Sequence, residues 1–223
     1  MVQSTTQALL RLMAWLSPAF PVGGFAYSGG LEAAVSHGAV RDKDGLAHWL
    51  ETLMAHGVFW NDAVLMAEAC RVSRNDPEGL QALAALASAL CGSRERYQES
   101  MALGDAFLSA ARQWPHPVFD CLDGKIAYPV AVGAVAAAHG IEAEAVIAAY
   151  LHASLSQQVS AAIRLGVLGQ TDGVGLVAGL EDDVMAIAHR AATSSLDDLG
   201  SAAILAEIAS IRHETLRTRL FRS

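Results

Sequence analysis

Apolar residues recur along most of this chain at steps of three and four, the period of an α-helix with one buried face. Leu9, Leu12, Met13 and Leu16 set the rhythm, and Pro18 stops it. Ser4 with Gln7 makes a capping box at the start of that helix. Two prolines and two glycines then mark SPAFPVGGF, 17–25, as a loop. A short helix over about 28–37 follows, with Gly38 just past its end.

Further along, Asp44 is placed to cap a helix with Leu46, Trp49, Leu50, Leu53 and Met54 on one face, and Asn61-Asp62 offers a fresh start. Asp76-Pro77 joins a capping side chain to a proline at the first helical position. Ser93 opens a charged amphipathic helix that ends before Trp114-Pro115. The longest uncharged apolar run, Ile126–Ala138, has 13 residues. It is short of the roughly 20 needed to cross a bilayer, so it reads as a buried helix. One long helix is expected over 142–168 and two more between Thr171 and Ser210. No alternating strand pattern competes. The expectation is a single all-α domain, a bundle of about eight to ten helices covering 1–223.

Composition sharpens this picture. Of 223 residues, 53% are hydrophobic and only 17% charged, which implies apolar surface spent on subunit or partner contacts if alanine bias does not explain it. Three cysteines, far apart, argue against a disulfide framework or a structural zinc site. The N-terminus lacks the features of a signal peptide, so a cytoplasmic protein is expected. Net charge is −8, against nucleic-acid binding, yet residues 211–223 carry four arginines and one glutamate, leaving −11 on the rest.

Candidate chemistry mostly fails on inspection. Gly173, Gly175 and Gly179 imitate a dinucleotide loop, but no strand precedes them, and close helix packing is the better reading. Asp182-Asp183 and Asp197-Asp198 lack the further carboxylate that a Mg²⁺-diphosphate site requires, and they suit helix starts. His213-Glu214 begins a zinc-protease signature that Arg217 breaks. Catalysis is therefore not expected. Two stretches stay unexplained. One places Gln157, Ser160 and Arg164 on a single helix face. The other is the ending, IRHETLRTRLFRS.

Three segments, SPAFPVGGFAYSGGLE (17–32), QVSAAIRLGVLGQTDG (158–173) and RHETLRTRLFRS (212–223), together resemble the UreF family of urease accessory proteins. The resemblance implies a non-catalytic, dimeric, all-α scaffold. It would bridge a UreD/UreH-type protein and the GTPase UreG, and modulate GTP-dependent nickel insertion into apo-urease. It would bind no cofactor tightly, with nickel and GTP handled through the partner complex. By position, the signatures carry over Tyr27, Ser28 and Glu32; Gln157, Arg164 and Gln170; and His213, Glu214, Arg219, Phe221 and Arg222 as partner-binding residues. At Arg217 the chain departs from the family's usual aromatic. The competing readings are a helical interaction protein unrelated to urease and a Mg²⁺-dependent helical enzyme.

The ending also raises an energetic question. Burying Leu220 and Phe221 is worth about 1.5–3 kcal/mol each. Ordering the backbone costs about 1–2 kcal/mol per residue. Two apolar anchors cannot hold 13 residues, so the segment 211–223 is expected to fray in the free chain and to dock, with its arginines and Leu220, on a partner.

Overall fold

The computed structural model describes residues 5–223, which form eleven α-helices and three short 3-10 turns, with no strand among them. The expected all-α fold is what the chain adopts. The capping box proposed at Ser4 lies outside the described residues.

The centre of the bundle is α7 (Tyr128–Ala138), whose residues from Pro129 to Ala137 are all buried. Its side chains are almost all alanine and valine, so neighbouring helices can approach on every side. α4 (Val58–Val72) and α6 (Arg94–Ala111) pack against it, and α8 (Ala143–Arg164) packs on both α7 and α4. Two glycines set the closest approaches. A Cβ at Gly104 of α6 would lie 1.9 Å from the Ile126 carbonyl oxygen, and one at Gly133 of α7 would lie 2.6 Å from that of Met66. The Cys70 thiol on α4 donates to the Gly133 carbonyl (3.3 Å), and burial pushes its pKa up to about 12. It is a protonated packing group.

Around this centre run α1 (Thr5–Trp15), α2 (Leu31–Ser36), α3 (Lys43–His56), α5 (Pro77–Ala89), α9 (Gln170–Gly179), α10 (Glu181–Thr193) and α11 (Ile204–His213). α1 is anchored by Trp15, which is fully buried and edge-on to Phe107 and Trp114. The cap signals at Asp76 and Ser93 act as expected: each side chain accepts from the backbone N–H three residues on. The acids of α10 lie in its first turn, and Ser195 with Asp198 forms a capping box on the turn Leu196–Asp198.

Three local expectations are corrected. Asp42, rather than Asp44, caps α3, by accepting from the Gly45 N–H (2.9 Å). No helix starts at Asp62; α4 begins at Val58, and Asp62 is a buried mid-helix residue whose carboxylate is used elsewhere. The long helix stops at Arg164, because Gly166 turns the chain with φ +76°. Of the three glycines at 173–179, Gly173 alone sits against another helix, with Val159 and Ile163 of α8 where its Cβ would be. α11 is the element the pattern did not separate from its surroundings.

These contacts make opposite expectations for two glycines. Gly104→Ala should lower stability by about 1–3 kcal/mol through overpacking against a backbone carbonyl. Gly175→Ala, in the interior of α9 with open space around it, should raise stability by about 0.5–1 kcal/mol through helix propensity. Urea titrations of the two variants measure both.

Candidate functional site: the docked C-terminal segment

The segment 211–223 does not fray. It folds back across the N-terminal loop and the start of α6, and Phe221 and Ser223 are buried there. The first three residues of the segment belong to the last turn of α11, so helix continues into it. A close backbone approach makes room for that helix. Gly30 adopts φ +86°, and a Cβ on it would lie 2.8 Å from the Ser210 amide nitrogen. A side chain there would collide with α11 and strain the backbone.

His213 is the pivot. Its side chain has no solvent exposure, and each ring nitrogen meets a carboxylate: Nε2 is 3.0 Å from Glu32 of α2, and Nδ1 is 2.6 Å from Glu95 of α6. The imidazole thus bridges the two acids, one ring nitrogen to each carboxylate. Glu32 also accepts from the backbone N–H groups of Leu220 (2.7 Å) and Phe221 (3.0 Å). Burial alone would raise the Glu32 pKa. The His213 hydrogen bond and the two amides outweigh it and hold the carboxyl below its usual value. The other Glu95 oxygen takes Arg219 (2.6 Å), whose guanidinium also donates to the carbonyls of Leu216 and Glu214. The Glu214 carboxylate accepts from the Arg94 N–H (2.8 Å).

The last residues are tied to the loop as well. The Ser28 N–H donates to the Ser223 carbonyl (2.8 Å), the Ser28 hydroxyl donates to the same oxygen, and the Arg222 N–H donates to the Ala26 carbonyl (2.8 Å). The Ser223 hydroxyl donates to Glu99 of α6 (2.9 Å). Glu99 leads into a buried network in which Arg96 reaches it at 3.8 Å and Asp62 at 2.6 Å, while the Tyr150 hydroxyl donates to Asp62 (2.7 Å). Burial pushes the Glu99 pKa up, against the pull of Arg96 and Ser223.

α8 closes the arrangement. Gln157 donates to the carbonyls of Gly24 (2.7 Å) and Tyr27 (3.3 Å), and Gln158 donates to that of Ser28 (2.8 Å). The Arg164 guanidinium lies 4.2 Å above the Phe221 ring, and that of Arg222 lies 5.7 Å from the Tyr27 ring. Gln170, at the exposed start of α9, lines a shallow cavity of about 220 Å³ with Ser160 and Arg164.

Three stretches far apart in sequence, around 27–32, 157–170 and 213–223, therefore meet in one place. A model of the UreF family matches residues 40–181 of the chain. A urease accessory protein UreF of Rhizobium etli is 64% identical over 217 residues, 97% of each chain. The chain belongs to the UreF family. Other UreF proteins agree: that of Rhizobium leguminosarum bv. viciae is 63% identical over 97% of each chain, and that of Agrobacterium fabrum 58% over 99% of each. The UreF family is accessory and non-catalytic. Among the described residues, no group of three or more His, Cys, Asp or Glu is arranged to hold a metal ion.

Reasoning from sequence put Tyr27, Ser28, Glu32, Gln157, Arg164, His213, Glu214, Arg219, Phe221 and Arg222 into the site, and the structure brings them together. Leu220 is 60% exposed on its outer side. The residues missed were Glu95, Glu99, Asp62, Arg96 and Tyr150. Acids at 95 and 99, one turn apart on a helix that otherwise needs a buried face, were the available signal.

His213→Ala should cost about 3–5 kcal/mol, because it removes at once a buried hydrogen-bond partner of Glu32 and one of Glu95. A small loss in thermal or urea unfolding would show that the bridge does not hold these helices together. The pH response has a defined sign. With its folded-state pKa below the unfolded 4.5, Glu32 contributes stability that is complete above that value and is lost as pH falls through the folded one. Glu32→Gln should remove this component, flattening the decline in stability below pH 4.5 in acid titrations followed by circular dichroism. Truncation after Ser210 should destabilise the whole bundle, since it strips partners from Glu32, Glu95 and Glu99 at once.

Proposed function

We propose that this chain is a non-catalytic accessory scaffold for urease maturation. It would bridge a UreD/UreH-type protein and the GTPase UreG, and modulate GTP-dependent nickel insertion into apo-urease. The observation that carries this reading is the convergence of the three signature segments on one docked surface, in a chain whose relatives are named urease accessory proteins. The buried members, Glu32, His213 and Phe221, shape the segment 211–223. The exposed ones, Leu220, Arg222 and Gln170, face outward as its docking groups. Nickel is cargo of the complex and is not held by this subunit, and no cofactor is bound tightly.

The protein acts in the cytoplasm as a homodimer in this reading. No described helix is long and apolar enough to cross a membrane. Exposed apolar side chains on α1 (Leu9, Leu10 and Met13) and α11 (Ile204, Leu205 and Ile211) supply contact surface for a second copy and for partners.

Copurification with UreD- and UreG-type partners, with and without GTP and nickel, tests the scaffold. Binding of neither partner would remove it. Calorimetry of the isolated, tag-free protein should show no submicromolar nickel binding, and sedimentation should show a dimer at micromolar concentration.

A further inference from the structure

The four arginines of 211–223 divide into two kinds. Arg219 is committed to Glu95, and Arg222 leans on the Tyr27 ring. Arg212 and Arg217 are exposed, and neither has a carboxylate within ion-pair distance among the described residues. Both line the same concavity, about 620 Å³, with Ser36, His37, Thr215, Leu216 and Thr218. It sits where α2 and α11 end, under the turn that follows His213.

A cationic hollow on a chain of net charge −8 needs an explanation. Arg212, in the last turn of α11, complements the negative end of the helix dipole without any ligand. Arg217 lies beyond the helix and has no such role. The turn between them is held rigid from below: Arg219 donates to the Leu216 and Glu214 carbonyls while paired to Glu95. The Thr215 hydroxyl is tied to the Arg212 carbonyl (3.1 Å). The two guanidinium groups are thus presented on a fixed base, which reduces the ordering cost of binding.

We propose that this hollow is a docking site for an acidic polypeptide segment of a partner protein, with carboxylates taken by Arg212 and Arg217 and the Leu216 side chain and threonine hydroxyls between them. Guanidinium forks match carboxylates. The volume is in the range of about 300–1,000 Å³ that accommodates sizeable ligands, far more than one oxyanion fills. An anionic membrane is disfavoured because the rest of the acidic chain would be repelled from it. The site is separate from the contacts assigned to Leu220, Arg222 and Gln170, and it does not depend on which protein supplies the segment.

The test uses the full chain and a short fluorescein-labelled peptide of alternating glutamate and serine, with a glutamine-for-glutamate counterpart. Fluorescence anisotropy should show binding of the glutamate peptide alone, weakening as salt is added. The Arg212→Gln/Arg217→Gln double variant should bind about tenfold more weakly, with unchanged circular dichroism and a melting temperature lowered by no more than a few degrees through the lost helix-dipole contact of Arg212. Arg112→Gln, beyond the opposite end of α6, should bind as the parent does. Equal affinity in parent and double variant, or no binding by the parent, overturns the proposal. So does displacement by inorganic phosphate at the peptide's own concentration, which would make the hollow a simple oxyanion site. Capture of phosphatidylserine vesicles that the double variant loses would assign it to a lipid surface. Loss of self-association in the double variant would assign it to a second copy.

Discussion

An imidazole sealed between two carboxylates organises this molecule. Glu32 and Glu95 lie on different helices, and each is buried where an isolated charge would cost several kcal/mol. Neither acid has a suitable cation on its own helix. Their shared partner, His213, lies more than a hundred residues away in the chain, and Arg219 completes the set. α11 packs on both α2 and α6, so the link between those two helices depends on the last helix being in place. The dependence is mutual, because α11 buries little besides Ala209 and His213. Its hold on the bundle is largely polar.

That polar hold is why the argument from apolar anchors failed for 211–223. Counting Leu220 and Phe221 alone set a few kcal/mol against the entropy of 13 residues, and the chain had to lose. The structure adds amide bonds to Glu32, the bonds of Ser28 and Ser223, three contacts of His213 and Arg219 with carboxylates, and an arginine stacked on Phe221. Hydrogen bonds to charged groups are worth about 1.5–3 kcal/mol each, more than a neutral pair. A sequence shows which residues are able to make such bonds. It does not show which acids wait for them at the far end of the chain.

The same distinction separates what the pattern revealed from what it concealed. Helix positions followed from local signals: apolar steps of three and four, Asp76-Pro77, Ser93 and the all-apolar run that became α7. Errors arose where a local signal had a distant use. Asp62 looks like a helix start, yet its carboxylate neutralises Arg96 and accepts from Tyr150, 34 and 88 residues further on. Gln157, Ser160 and Arg164 do share a face of α8, but Gln157 turns inward to hold the loop at Gly24, and Arg164 covers Phe221. The signature residues were identifiable as a set through family resemblance. Their division into inward and outward groups was not, because it depends on burial.

That division bears on how a small segment could, in the function proposed for it, be both part of a core and a surface for other proteins. Its inward side chains are satisfied within the chain, so the segment does not have to order itself when a partner arrives, and the cost of binding falls accordingly. Its outward side, with Leu220 and the uncommitted arginines, is left free by the same turn that Arg219 pins. A docked, preformed surface predicts association limited by orientation and charge, with little contribution from folding on binding. In that proposed role, weakening the His213 cluster would disturb partner contacts made by residues that never touch it. Loss of assembly in a His213 or Glu32 variant would therefore report on the support beneath the surface, whereas loss in an Arg217 or Leu220 variant with unchanged stability would report on the surface itself.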